Sequence, residues 1–236
     1  MHKFIRSQLD RYFGQFAHRS DLDNLRRQMA CVAELQSAIP RPVPFGKLGG
    51  WAISADALAI VVRDIRKRRS PQVLEFGSGA STMVIATLLQ AMGEGKLVTV
   101  EHDLDYLRLV DSDLFAHGLK SVVDLRHLPI VSFSAAPPPL AACHSYELCQ
   151  LDAPFDVALV DGPITAKFGA ATRLAPLEWC VRRLNPGGSV YLDDAARTEE
   201  RQVVTSLLAL HPDIKAENLD TEKGFVRLTR VSELVA

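Results

Sequence analysis

From residue 72 onward, short apolar runs alternate with longer stretches that are apolar on one side only. Runs at 72–76, 97–101, 122–128, 155–160 and 189–192 have the length of strands. Between them, segments at 82–92, near 105–117, near 171–184 and at 198–210 repeat apolar residues at helical spacing. Continuously apolar strands separated by helices predict a parallel sheet covered on both faces. The end of the chain breaks this rhythm. Residues 214–219 and 225–231 flank a turn at Glu222-Lys223-Gly224 and predict an antiparallel hairpin. The predicted fold is α/β, doubly wound, with a mostly parallel seven-stranded sheet and a C-terminal hairpin.

The first 44 residues read as a helical extension. Ile5, Leu9, Tyr12 and Phe16 recur at helical spacing. After Ser20, a plausible N-cap, Leu22, Leu25, Met29, Val32, Gln36 and Ile39 form a heptad-like seam. Two readings stand: a helix packed on the rest of the chain, or a contact between copies. Pro40-Arg41-Pro42-Val43-Pro44 ends the helix, because proline cannot continue one. A helix resumes after Ser54, with Leu58, Val61, Val62 and Ile65 on one face. It closes on Arg66-Lys67-Arg68-Arg69, a basic run that complements the helix dipole.

Of the 236 residues, 47% are hydrophobic and 23% charged, and the net charge is −1. No global field therefore favours nucleic acid or an anionic membrane. No apolar run approaches the ~20 residues of a membrane span, and the start lacks a signal peptide's apolar core. The expectation is a cytoplasmic protein with neither nucleic acid nor membrane as partner. Cys31, Cys143, Cys149 and Cys180 form no Cys-x-x-Cys pair and read as free thiols, although Cys143 and Cys149 share a loop.

The candidate chemistry sits at strand ends. Val73-Leu74-Glu75-Phe76-Gly77-Ser78-Gly79-Ala80-Ser81 reads as a buried strand, a glycine turn and a helix start. Gly77 and Gly79 let a ligand approach the backbone, and the helix points free N–H groups over the turn. Glu101 ends the next strand at the spacing where a carboxylate meets a ribose diol. These features describe a pocket for an adenine nucleoside. A nicotinamide fingerprint would need glycine where Thr82 stands. An NAD-dependent oxidoreductase and a non-catalytic nucleoside-binding module are the alternatives.

Three segments carry a resemblance: Leu74 to Thr82; Phe155-Asp156-Val157-Ala158-Leu159-Val160-Asp161-Gly162-Pro163; and Leu192-Asp193-Asp194-Ala195-Ala196-Arg197-Thr198-Glu199-Glu200. With this element order, the chain resembles the class I S-adenosylmethionine-dependent methyltransferases, in particular a bacterial small-molecule O-methyltransferase-like group. The resemblance implies a Rossmann-like domain over 45–236 that binds S-adenosylmethionine and methylates a hydroxyl of a small metabolite. It places Glu75, Gly77, Ser78, Gly79, Glu101 and His102 at the cofactor, with Glu75 either contacting it or bracing the turn. It makes Asp161 and Asp194 catalytic candidates. Metal-dependent members also imply Mg²⁺ or another divalent cation on Asp161, Asp193 and Asp194. Those members carry a lysine soon after the fourth-strand acid, whereas here the nearest is Lys167. Asp161 as a direct base, with Asp194 capping the loop before Arg197, is the competing reading. Arg173 reads as a solvated helix residue, with recognition of an anionic substrate group as the alternative; His144 and Tyr146 read as loop surface, with substrate contact as theirs; Arg197 and Glu199 read as an exposed local pair. A homo-oligomer through the N-terminal helices completes the expectations.

Overall fold

The computed structural model describes residues 21–40, 48–132, 144–151 and 154–231. The predicted helix from Ile5 to Phe16, the Ser20 cap, Cys143 and the triple proline at 137–139 lie outside these.

A helix, α1, runs over residues 21–38. Then follow α2 (Ala55–Arg66), β1 (Gln72–Phe76), α3 (Ala80–Met92), β2 (Lys96–Glu101), α4 (Leu104–Ala116) and β3 (Val123–His127). A small insertion contributes β4 (Ile130–Ser132) and β5 (His144–Tyr146), paired antiparallel apart from the main sheet. The chain continues through β6 (Phe155–Val160), α5 (Thr165–Phe168), α6 (Leu174–Arg183), β7 (Leu184–Leu192), α7 (Thr198–Leu210), β8 (Ile214–Leu219) and β9 (Phe225–Arg230). The main sheet has seven strands in the order β3-β2-β1-β6-β7-β9-β8. All its pairings are parallel except those of β9, which runs antiparallel to both neighbours.

Side-chain alternation sorts the sheet residues onto two cores, since successive residues of a strand face opposite ways. Val73, Leu97, Val157, Leu159 and Tyr191 pack with α2 and α3. Leu74, Phe76, Ala158, Val160 and Leu192 pack with α6 and α7. This is why the strands read as continuous apolar runs. Asn185-Pro186-Gly187-Gly188, expected as a turn before a strand, forms an irregular excursion within β7. The partner of β6 jumps from Leu184, opposite Phe155, to Ser189, opposite Val157.

The seam in α1 divides. Leu22, Leu25 and Met29 are 44%, 55% and 65% exposed, whereas Cys31, Leu35 and Ile39 join the core beside α2. Cys31 and Leu35 lie one residue before the heptad positions Val32 and Gln36, whereas Ile39 is itself one of them. Ser54 does take the N-cap position of α2, but its side chain makes no capping bond. At the helix end, Arg68 pairs with Asp64 at 2.9 Å and donates to the Gly187 carbonyl, well away from the glycine turn.

Strand order reverses between β1 and β6. Connections leave these two strands in opposite directions, so a crevice opens beyond their C-terminal ends, where ligands settle in such sheets.

Candidate active site

A cavity of about 580 Å³ fills that crevice. Its floor is the turn after β1. Gly77 has φ +93°, and a Cβ there would meet the Gly162 nitrogen at 3.1 Å, so the ends of β1 and β6 touch through glycine. A hydrogen-bond chain fixes the turn: Gly79 N–H donates to Thr82 Oγ1 (2.8 Å), which donates to Glu75 (2.5 Å). Thr99 Oγ1 also donates to Glu75, at 2.7 Å. Glu75 is fully buried below the turn and is not part of the cavity lining. Its carboxylate is turned into the hydroxyls of Thr82 and Thr99, an arrangement that braces the turn. Burial outweighs these bonds and raises its pKa.

Gly77, Ser78, Gly79, Glu101 and His102, the residues expected at the cofactor, all line the cavity. One oxygen of Glu101 accepts from the backbone N–H of His102 (2.7 Å) and Asp103 (2.9 Å). The other accepts two longer bonds from Ser78, from N–H at 3.3 Å and from Oγ at 3.2 Å. Burial pushes this carboxyl up, but the His102 and Asp103 donors prevail and its pKa is lowered. The His102 ring meets Phe168 edge-on at 5.1 Å and Tyr146 at 6.0 Å.

Tyr146 is not the surface residue expected. It is fully buried in the cavity wall, its hydroxyl makes no hydrogen bond, and a Cβ on Gly162 would collide with it. Burial and the nearby Glu101 carboxylate hold its phenol well above the usual range. Its place follows from β5, a strand no periodicity announces because it spans three residues.

Asp161 ends β6 and faces the cavity, 15% of its side chain exposed. Burial first, then repulsion from Asp193, raises its pKa well above the ordinary carboxylate value, against the pull of Arg173 and Lys223. Asp193 and Asp194 end β7 behind it, both buried and outside the cavity lining. Asp194 has a left-handed φ of +59° and its carbonyl accepts from Arg197 N–H at 2.9 Å, so it does cap that loop. Arg197 pairs with Asp194 at 3.0 Å, in place of the local pair with Glu199.

The three acids converge, one oxygen from each lying within 4.8 Å of the others. Protein cations already stand among them. Lys223 Nζ is 3.0 Å from Asp193 and 3.4 Å from Asp194. Arg173, expected in solvent, is 3% exposed. Its guanidinium donates to the carbonyls of Asp161 (2.7 Å), Asp193 (3.1 Å) and Pro163 (3.2 Å) and to the Asp194 carboxylate (3.4 Å). It also lies 3.8 Å from Glu200. Four carbonyl and carboxylate acceptors on two strand ends repay the burial of its planar donor fork. Arg173, Lys223 and Arg197 thus offset part of this cluster's negative charge, and an ammonium already paired with Asp193 and Asp194 does not match an open site for a hard cation.

A family model described as a methyltransferase domain matches residues 74–195. No curated protein matches the sequence. Several solved structures share the fold. An O-methyltransferase from Bacillus cereus in complex with SAH is 17% identical, with a TM-score of 0.57 over 87% of this chain and 90% of that one. An O-methyltransferase described as putative, from Klebsiella pneumoniae, is 19% identical at TM-score 0.57, covering 86% and 89%. TomG, an O-methyltransferase from Streptomyces achromogenes involved in tomaymycin synthesis and solved with SAM, is 19% identical at TM-score 0.54, covering 86% and 90%.

Proposed function

We propose, from the premise that the chain belongs to the methyltransferase-domain family, that it moves a methyl group from S-adenosylmethionine to a hydroxyl of a small metabolite. The observation that carries the reading is the division of labour among the acids of one cavity. Glu101, Asp103 and Asp161 line it, and only Asp161 is pushed up; the other two are lowered. Groups whose surroundings pull their acidities apart take different roles.

Glu101 stays ionised and receives the ribose hydroxyls, which replace the two long contacts from Ser78. The Gly77–Gly79 turn carries the amino-acid end of the donor, and His102 borders the adenine side. The Tyr146 hydroxyl offers a further bond to the bound nucleoside. Asp161 takes the acceptor's proton. The freed oxygen attacks the methyl carbon in line, the carbon–sulfur bond breaks with its electrons going to sulfur, and neutral S-adenosylhomocysteine leaves. The chain contributes alignment and proton removal. A hydroxyl acceptor and a small substrate follow the family resemblance, and the near-zero net charge supports a partner other than nucleic acid.

The same reading keeps the enzyme cytoplasmic, in line with the free thiols of Cys31, Cys149 and Cys180. Among the described residues no helix is long and apolar enough to cross a membrane. Residues 1–44 act as an extension to the domain over 45–236, and the exposed Leu22, Leu25 and Met29 provide a contact between copies.

Calorimetry with S-adenosylhomocysteine and NAD tests the donor; one site for the former is expected, and binding of NAD alone overturns the reading. A labelled-methyl screen over hydroxylated metabolites and RNA tests the acceptor. Methylated RNA as sole product refutes the small-molecule assignment.

A further inference from the structure

The turn between β8 and β9 does more than close a hairpin. Lys223, at its tip, extends across the C-terminal end of β7 and is only 16% exposed. Its ammonium meets three groups from two distant segments: the Asp193 carboxylate at 3.0 Å, the Asp194 carboxylate at 3.4 Å, and the backbone carbonyl of Ala52, to which it donates at 2.9 Å. Ala52 belongs to the loop over residues 49–53, which forms one wall of the ligand cavity and is tied internally by Gly49 N–H to the Ile53 carbonyl at 3.0 Å. The hairpin tip is itself pinned. Ala195 N–H donates to the Gly224 carbonyl and Ala196 N–H to the Lys223 carbonyl, both at 3.0 Å. Arg173 donates to the Asp161 and Asp193 carbonyls and to the Asp194 carboxylate.

A hard cation would draw oxygens of all three acids to roughly 2.0–2.6 Å of itself. That volume adjoins the Lys223 ammonium, so like charges would compete for the same oxygens.

We propose that Lys223 is a positioning residue standing where a divalent cation would otherwise sit. It bridges Asp193 and Asp194, holds the 49–53 loop against the cavity through Ala52, and leaves methyl transfer independent of metal. The inference rests on the donor cavity proposed above only for its link to catalysis. The ion cluster and the loop tether are features of the protein alone.

Two measurements on the full chain, without cofactor, therefore test it. In an electron paramagnetic resonance titration, the free Mn²⁺ signal should be unchanged by stoichiometric wild-type protein. Lys223→Met should attenuate it, because three carboxylates then lack their nearest ammonium. In hydrogen exchange read by mass spectrometry, Lys223→Met should speed exchange in 49–53 several-fold, and Lys223→Arg should restore part of the protection. Stoichiometric Mn²⁺ binding by the wild type overturns the replacement of metal by lysine, even should the methionine variant fail to fold. Unchanged exchange in 49–53 for both variants overturns the tether. A protein that passes both measurements yet binds no S-adenosylhomocysteine refutes the donor reading and leaves Lys223's role intact.

Discussion

Asp161 and Glu101 face the same cavity, yet one is pushed well above its ordinary carboxylate pKa and the other is lowered from its own. Asp161→Asn should lower kcat by about 10²- to 10⁴-fold, the range for losing a positioned base, with little effect on donor affinity. The acid limb of the wild-type kcat/KM profile should lie above ordinary carboxylate values. Stability shifts the opposite way to activity. A carboxyl whose pKa is raised on folding favours the native state while protonated, and that contribution fades as pH climbs from the unfolded value through the raised one. Asp161→Asn should therefore melt higher than wild type at neutral pH, the difference vanishing in acid; equal melting curves across pH would remove Asp161's strain. Glu101→Ala removes a charged acceptor for two hydroxyls and should weaken S-adenosylhomocysteine binding by about 1–3 kcal/mol in calorimetry. Undiminished affinity would take the ribose contact away from Glu101. Tyr146 and Arg173 teach the converse lesson. Tyr146 sits on a three-residue strand and Arg173 at the start of a helix, and their burial is decided by what the rest of the chain brings alongside.

Among the elements, β1 with its following turn was legible because three signals coincide: a continuous apolar run, glycines at the break and a helix start. The hairpin of β8 and β9 was legible for a similar reason. The short β4–β5 pair was not, since three-residue strands have no period to read. On α1 the heptad positions named a seam; packing buried its last member, Ile39, and with it Cys31 and Leu35 from outside the seam. Arg27 meets Asp56 at 3.3 Å and Arg63 meets Glu34 at 2.6 Å, fastening that face to α2. The other face keeps Leu22, Leu25 and Met29 in solvent. Leu25→Glu with Met29→Glu should lower the mass seen by light scattering and leave S-adenosylhomocysteine binding intact. An unchanged mass would leave these residues without a role in self-association.

At the scale of the whole molecule, the cavity is a junction. Its walls come from the 49–53 loop, the ends of β1 and β2, the start of α4 and the segment after β6. A ligand there bonds segments more than 100 residues apart, so it should stabilise the entire fold. S-adenosylhomocysteine at 100 times its Kd should add about 2.7 kcal/mol to unfolding in urea, with the slope unchanged. A stabilisation confined to one phase of a split transition would count against a single cooperative unit. The sequence by itself determined the α/β alternation, the glycine turn, the acids at three strand ends and the closing hairpin. Each is written in residues adjacent along the chain, where strand and helix periods and backbone freedom act. Tertiary structure alone decided that the Glu75 carboxylate turns into the hydroxyls of Thr82 and Thr99, away from the cavity that Glu101 lines. It also decided that Tyr146 and Arg173 are buried, and that Lys223 stands among Asp161, Asp193 and Asp194. Those outcomes depend on which charges and hydroxyls the sheet order brings within a few ångströms, and burial and Coulomb energy act through space rather than along the chain.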